Sequence, residues 1–153
     1  MYLDEFYHVG GFITLGNQIW QFLTAGDIEQ VISAYNTAIA DIPYDDFPGR
    51  DEFWYRSLFV MLLRGAGFVP LAEVHTYKGR ADVVIQFNHQ FIVLEFKFAE
   101  KTSDVDKKKT EGLKQIAEKD YARSYNAEGR KVISAVVIAD DENRKALLDR
   151  KNC

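Results

Sequence analysis

The chain has 153 residues, of which 47% are hydrophobic and 27% are charged, and its formal net charge at pH 7 is −4. This length and composition predict one globular domain with a substantial core. No apolar run approaches the ~18–20 residues that cross a bilayer, and the first residues lack the basic region of a secretory signal. We therefore expect no membrane association. The single cysteine, Cys153, has no internal disulfide partner, which favours the reducing cytoplasm.

Charge is distributed unevenly along the chain. Residues 1–56 carry nine acidic and two basic side chains, whereas residues 107–131 carry eight basic and four acidic ones. A polyanion would therefore bind to the C-terminal half. The alternative is that the basic residues form the solvated face of a helix.

Residues 1–47 are predicted to form a helical N-terminal segment. The stretch "DIEQVISAYNTAIADI" has apolar residues at helical spacing, and Gly26-Asp27 is a suitable start. The following "PYDDFPGRD" contains two prolines, a glycine and turn-forming aspartates, which indicates a break. We interpret the segment as a helical appendage through which the domain, residues 48–153, joins another part of a protein.

The next elements are a helix and three strands. "DEFWYRSLFVMLLRGAGF" predicts a helix that begins after Asp51 and stops at Gly65 or Gly67. Its apolar residues surround the helix almost completely, which predicts deep burial against a sheet. "EVHTY", "ADVVIQF" and "QFIVLEFKF" are strand candidates, and Asn88-His89 is a tight turn between the last two.

The C-terminal part completes an α/β fold. "KTSDVDKKKT" is interpreted as a loop, and a helix is expected over roughly residues 110–126. "KVISAVVIA" is a continuous apolar run, typical of a strand covered on both faces. "DDENRKALLDRKN" can supply one more helix. A helical crossover would place the last strand parallel to an earlier one in a mixed sheet.

Three charged residues interrupt the apolar strand candidates. Asp82 opens "ADVVIQF", while Glu95 and Lys97 lie in "QFIVLEFKF" with only Phe96 between them. Charges inside apolar strands are costly unless they are paired or bind a cation. Residues two apart on a strand share a face, and a turn at Asn88-His89 brings Asp82 close to Glu95. The pattern predicts two carboxylates and an ammonium group at one place.

These groups favour phosphodiester hydrolysis. Two adjacent carboxylates repel each other unless a cation shares them, and Mg²⁺ is a hard ion that binds one or two carboxylates and phosphate oxygens. A lysine beside the ion can stabilise negative charge or help to position and deprotonate a water molecule. The alternative is that Glu95 and Lys97 form an exposed edge-strand pair and that Asp82 is an ordinary strand-start residue.

On these residues the chain resembles the PD-(D/E)xK nuclease superfamily, whose restriction-endonuclease-like core runs helix, three-stranded meander, helix, strand. Asp82 matches the first acid of the motif, and Glu95-Phe96-Lys97 matches "(D/E)xK". Ala81 stands where the superfamily's name has proline, a position that ligates nothing. The resemblance implies that Asp82, Glu95 and Lys97 are catalytic and that the two acids bind Mg²⁺ or Mn²⁺.

The resemblance implies two further site positions. Glu52 matches an acid that joins the metal site in many members. Alternatively, it is a first-turn glutamate that favours the helix dipole and pairs with Arg56. Gln115, in "LKQIAEK", matches a second-helix residue that often borders the site. Gln115 and Lys119 would contact substrate phosphate, or both would face solvent.

Arg80 would contact phosphate beside Asp82, or it is a plain surface residue. Tyr121 is expected in the hydrophobic core.

More narrowly, the chain is similar to the nuclease-like domain at the C-terminus of bacterial proteins that carry an AAA-type ATPase-like domain upstream. The similarity rests on "AGDIEQVISAYNTAIADIPYD", "EFWYRSLFVMLLRGAGF", "YKGRADVVI", "FIVLEFKF" and "LKQIAEKDYA". The chain contains no Gly-x-x-x-x-Gly-Lys-Ser/Thr phosphate loop. Similarity to the C-terminal domain without the phosphate loop of an ATPase domain is what we expect of a fragment of a longer protein.

The leading hypothesis is a cytoplasmic, Mg²⁺- or Mn²⁺-dependent nuclease that acts on DNA. One alternative is a catalytically silent module that binds nucleic acid, which the acidic balance favours. Another is a regulatory domain that docks through residues 1–47 to an ATPase or to a second copy as a homodimer.

Overall fold

The fold is known from a computed structural model, which describes residues 15–76, 79–121, 123 and 129–150, with residues 72–76, 79 and 80 described by their backbone only. One five-stranded sheet has the order β1-β2-β3-β4-β5. Its strands are β1 (Leu71–Thr76), β2 (Gly79–Phe87), β3 (Gln90–Ala99), β4 (Lys131–Asp140) and β5 (Lys145–Arg150). The helices are α1 (residues 15–24), α2 (Ile28–Ala40), α3 (Glu52–Gly65) and α4 (Val105–Lys119). None of these described helices is long and apolar enough to cross a membrane.

The strand pairing confirms the predicted α/β order of helix, three-stranded meander, helix and strand. Strands β1, β2 and β3 pair antiparallel, and β3 pairs in parallel with β4 after the α4 crossover. Asn88 and His89 form the predicted tight turn, with φ of 43° and 60°. These positive values suit the two central positions of a hairpin turn.

Two predictions in the C-terminal half are wrong. Residues 145–150 form strand β5, antiparallel to β4, instead of a helix. The segment is extended because it pairs with the edge of β4, and this places Leu148 against the apolar cluster on one face of the sheet and Leu147 against the cluster on the other. Helix α4 begins at Val105 and ends at Lys119, so six of the ten residues in the predicted loop "KTSDVDKKKT" are helical. Residues 124–126 of the predicted helix lie outside the described residues.

Helix α3 begins and ends as predicted but is less buried than predicted. The Asp51 carboxylate caps the helix by accepting a hydrogen bond from the Trp54 backbone at 2.8 Å. Phe53 and Met61 are each 64% exposed, so the expectation of burial on nearly all sides is wrong. The inward face carries the following side chains: Tyr55, Arg56, Phe59 and Leu63.

The core has one layer on each face of the sheet. On one face, α1, α2 and α3 share a single apolar cluster with β2, β3 and β4, and Val31 and Tyr35 of α2 are at most 1% exposed within it. On the other face, Ile116 of α4 packs against β3 and β4. The described part of the N-terminal segment therefore folds against the sheet. The domain boundary between residues 47 and 48 stays a prediction.

A partly buried ion pair connects a residue just before α3 to the end of β4. Arg50 donates to both carboxylate oxygens of Asp141, at 2.7 and 3.2 Å, and the Tyr55 hydroxyl donates to Asp141 Oδ1 at 2.6 Å. Burial alone would raise the pKa of the Asp141 carboxyl. The hydrogen bonds from Arg50 and Tyr55 outweigh burial and hold the pKa below its usual value of 3.8.

We expect Asp141→Asn to lower the free energy of unfolding at pH 7 by about 1–3 kcal/mol, because the amide cannot replace the carboxylate beside Arg50. The folded-state pKa of Asp141 lies below its unfolded value, so this stability is present above the unfolded pKa and is lost as pH falls through the folded pKa. Urea unfolding at pH 7 and at about pH 2 measures the difference. A deficit that stays constant with pH would contradict the account.

A matched control is Lys114→Met, which removes a pair with Glu118 whose side chains are 74% and 62% exposed. It should change stability by less than about 0.5 kcal/mol at either pH.

Gly112 sets the distance between α4 and the sheet. An alanine Cβ at this position would lie 2.5 Å from Cγ1 of the buried Val136 and 3.3 Å from its Cβ. A β-branched core side chain cannot turn away, so the helix would have to move. The glycine is therefore required by packing.

We predict that Gly112→Ala destabilises the protein by about 1–3 kcal/mol despite the better helix propensity of alanine, because overpacking displaces α4. Thermal or urea unfolding measures this. Gly65→Ala at the end of α3 is the control, since beyond its chain neighbours and the adjacent helix backbone no atom of the described residues lies within 4 Å of the added Cβ. Equal effects of the two substitutions would contradict the packing argument.

Candidate active site

The candidate site lies where β2 and β3 separate. The antiparallel pairing of β2 with β3 begins with Phe87 opposite Gln90 and ends with Val83 opposite Leu94. Beyond this point β2 continues beside β1, and β3 continues beside β4. Asp82 and Glu95 are the next residues after the last pair. Each carboxylate therefore stands at the opening between two strands.

Asp82 bridges the opening with its side chain. Its Oδ2 atom accepts a hydrogen bond from the Phe96 backbone N–H at 2.8 Å. Its Oδ1 atom accepts one from Arg56 Nη1 at 3.2 Å, and the Arg56 and Asp82 side chains are 10% and 13% exposed. The Arg56 guanidinium also lies 5.4 Å from the centre of the Phe53 ring. Helix α3 thus supplies a cation to the Asp82 carboxylate.

Glu95 is 1% exposed. Its carboxylate is bound by Lys119, the last residue of α4, and by Tyr121, two residues further on. Lys119 Nζ donates to Oε1 at 3.0 Å, and the Tyr121 hydroxyl donates to Oε2 at 2.7 Å. Burial raises the pKa of the Glu95 carboxyl, and the charge of Asp82 raises it further. The donors Tyr121 and Lys119 oppose this rise without cancelling it.

Glu52, the first residue of α3, belongs to the same electrostatic cluster. Burial raises the pKa of its carboxyl, and the charges of Asp82 and Glu95 raise it as well. Lys97 and Arg56 act in the opposite direction. The charges of Asp82 and Glu95 therefore both act on Glu52, and the negative potential of these acidic side chains favours a nearby cation.

Lys97 projects to the same side of β3 as Glu95, because the two residues are two positions apart. It is half-buried, and its charge acts on Glu52. Within the described part of the chain, the Lys97 ammonium makes no hydrogen bond or ion pair. It is available to a water molecule or a substrate oxygen at the opening.

Two of these carboxylates could serve as ligands of a divalent ion. Among the described residues, no three His, Cys, Asp or Glu side chains are arranged to hold a metal ion together. Mg²⁺, however, commonly takes only one or two carboxylates and keeps several waters. Asp82 and Glu95 supply two hard oxygen ligands of that kind, so their chemistry fits an open, water-rich site better than a closed cage.

The other predicted site residues are Lys119, Gln115 and Arg80, and only Lys119 contacts one of the two acidic residues of the motif. Lys119 lies in the site through its bond to Glu95. Gln115 is half-buried one turn earlier on α4, and within the described residues its side chain makes no hydrogen bond. Arg80 pairs with His75 through the backbone, and its side chain lies outside the description. The roles assigned to these residues stay predictions.

Two contacts were missed from the sequence. The sequence suggests Arg56 only as a partner of Glu52, and Tyr121 only as a core residue. Tyr121 is indeed 1% exposed, but its hydroxyl binds Glu95. A basic residue on the buried face of an apolar helix was the available signal for Arg56, because such a residue needs an acidic partner.

Two comparisons relate the chain to known proteins. A model of the PD-(D/E)XK nuclease superfamily matches residues 50–147. The uncharacterized protein in the vnfD 5′ region of Azotobacter chroococcum mcd 1 is 29% identical over 119 residues, which cover 75% of this chain and 22% of that protein. The chain thus spans less than a quarter of that relative's length. No solved structure matches the chain.

We predict that Tyr121→Phe lowers the free energy of unfolding by about 1.5–3 kcal/mol, because a buried charged acceptor loses a donor. Tyr35→Phe is the matched control, since the Tyr35 hydroxyl donates to the neutral backbone oxygen of Tyr55 at 2.8 Å. Its loss should be nearer 0.5–1.5 kcal/mol. Urea unfolding at pH 8 compares them, and an equal or smaller loss for Tyr121→Phe would contradict the charged hydrogen bond.

Proposed function

Because the chain belongs to the PD-(D/E)XK nuclease superfamily, we propose that it hydrolyses phosphodiester bonds of DNA with the help of Mg²⁺ or Mn²⁺. One observation carries the proposal. Asp82 and Glu95 are the first residues beyond the last β2–β3 pair, the charge of Asp82 acts on the Glu95 carboxyl, and Lys97 lies on the same side of β3 as Glu95. The family supplies the reaction class, and this arrangement supports the residue roles.

Asp82 and Glu95 would hold the divalent ion; the predicted third ligand, Glu52, would contribute through its charge, because the three acids, all among the described residues, are not arranged to hold an ion together. When bound, the ion supplies charge neutralisation at the phosphate oxygens and a lowered pKa for water. The Phe96 backbone and the Tyr121 hydroxyl hold the carboxylates in fixed directions before substrate arrives. Such preorganisation reduces the rearrangement needed during reaction.

Lys97 would act on the attacking water. Its half-buried ammonium can donate hydrogen bonds, orient the water toward phosphorus and stabilise the charge that develops on the phosphate oxygens. The water oxygen forms a bond to phosphorus, the ester P–O bond breaks, and the leaving oxygen receives a proton. The products are a phosphate terminus and a hydroxyl terminus.

The approach of a DNA strand would follow α4. Its exposed residues include Lys107, Lys109 and Lys114, while Lys119 reaches into the site. Gln115 and Arg80 are the other proposed phosphate contacts. Lys109 and Lys114 each have an acidic neighbour, Asp149 and Glu118. Binding through such contacts weakens as the salt concentration rises.

A second candidate function is a catalytically silent module that binds nucleic acid or docks to an ATPase-linked protein. The pairing of Asp82 with Arg56 and of Glu95 with Lys119 favours it, since protein cations already neutralise both carboxylates. The relative's greater length is compatible with further domains. An upstream AAA-type ATPase domain, a homodimer and a cytoplasmic location remain predictions.

The test is cleavage of supercoiled plasmid and of single-stranded DNA with Mg²⁺ and with Mn²⁺. We expect Asp82→Ala and Lys97→Met to reduce the cleavage rate by about 100-fold or more, because each removes a group that acts on the reacting phosphate. Lys97→Met is the sharper variant, since the described structure gives Lys97 no partner whose loss would unfold the site.

Lys114→Met is the control, because it removes one positive charge from the exposed side of α4. It should leave the rate constant at saturating DNA unchanged. Cleavage that persists in Asp82→Ala and Lys97→Met would reject the site. Metal binding and DNA binding without cleavage would support the silent module.

A further inference from the structure

Both candidate metal ligands are bound in the same two-part way. On Asp82, Oδ2 accepts from the neutral Phe96 backbone N–H and Oδ1 accepts from Arg56. On Glu95, Oε2 accepts from the neutral Tyr121 hydroxyl and Oε1 accepts from Lys119. In each carboxylate, a neutral donor fixes one oxygen and a protein cation covers the other.

The two kinds of donor differ in how a divalent ion affects them. A neutral N–H or O–H can remain on its oxygen when a metal binds the other oxygen of the carboxylate. A guanidinium or ammonium group on the metal-binding oxygen is repelled by the ion and competes with it. In the metal-free protein, however, these cations are needed, because buried carboxylates without a partner are strongly destabilising.

We propose that Arg56 and Lys119 are the counter-ions of the metal-free site and that a divalent ion displaces them from Oδ1 of Asp82 and Oε1 of Glu95. The neutral donors keep the other oxygens in place during the exchange. Arg56 and Lys119 are thus positioning residues that hold the ligands ready and oppose metal binding. The inference rests on the proposed function, in which these carboxylates bind the metal.

The surroundings of Arg56 allow the exchange. Its guanidinium lies 5.4 Å from the centre of the Phe53 ring, which is 64% exposed. An aromatic face can hold a guanidinium after the carboxylate is lost. Lys119 has a flexible four-carbon stem and lies 5.8 Å from the centre of the Tyr121 ring. Each cation therefore keeps a neighbouring aromatic ring when it leaves its carboxylate.

The experiment is a titration of the full chain with Mn²⁺ alone, in which isothermal titration calorimetry measures the Mn²⁺ affinity. Arg56→Met removes the competing charge and keeps an unbranched, shorter side chain, so its Mn²⁺ affinity should rise about tenfold over wild type. Lys119→Met should act in the same direction. Arg56→Lys, which keeps the charge, should stay near wild type. A purely structural role predicts weaker binding in Arg56→Met, because Asp82 would lose its orientation.

Lys114→Met on α4 is the control for net charge. It removes a positive charge of the same size from an ion pair whose two side chains are 74% and 62% exposed. The affinity of this variant for Mn²⁺ should change less than twofold, because solvent and salt screen the interaction between an exposed charge and the site. A rise in Lys114→Met equal to that in Arg56→Met would overturn the inference.

Thermal unfolding gives a second readout. Without metal, Arg56→Met should melt below wild type, and added Mn²⁺ should raise its melting temperature by more than it raises that of wild type. Unchanged or weakened Mn²⁺ binding in Arg56→Met would overturn the exchange, while loss of cleavage in Lys97→Met would still support the nuclease. No Mn²⁺ binding and no cleavage by wild type would overturn both proposals.

Discussion

The candidate site depends on the repulsion between two carboxylates that the sheet brings together. Asp82 and Glu95 follow the last paired residues of β2 and β3, and the charge of Asp82 raises the pKa of the Glu95 carboxyl beyond the effect of burial. Their shared negative potential must be neutralised by some cation. Arg56 and Lys119 do this in the structure, and a divalent ion would do it in the proposed reaction.

The rest of the fold holds these groups in place from both sides of the sheet. Helix α3 carries Glu52 and Arg56 and is fixed by the pairing of Arg50 with Asp141 at the end of β4. On the other face, Gly112 lets α4 approach the sheet closely, and Lys119 and Tyr121 reach Glu95 from its C-terminal end. The site is therefore sensitive to packing changes at residues far from the chemistry.

Strands and turns with strong local signals were predictable from the sequence, whereas contacts between distant elements were not. The Asn88-His89 turn and the position of Glu95 and Lys97 on one strand face follow from local propensity and two-residue periodicity. The β5 strand was missed because "KALLDR" becomes extended only beside the edge of β4. The bonds of Arg56 to Asp82 and of Tyr121 to Glu95 join residues 26 positions apart, so no local pattern contains them.

The most direct measurement is a crystal structure of the protein soaked in Mn²⁺, with anomalous density used to locate the ion. The account predicts one peak between Asp82 and Glu95, about 2.0–2.3 Å from an oxygen of each, with Arg56 and Lys119 withdrawn from those oxygens. Absence of a peak at saturating Mn²⁺, or a peak elsewhere while Lys119 still contacts Glu95, would contradict it.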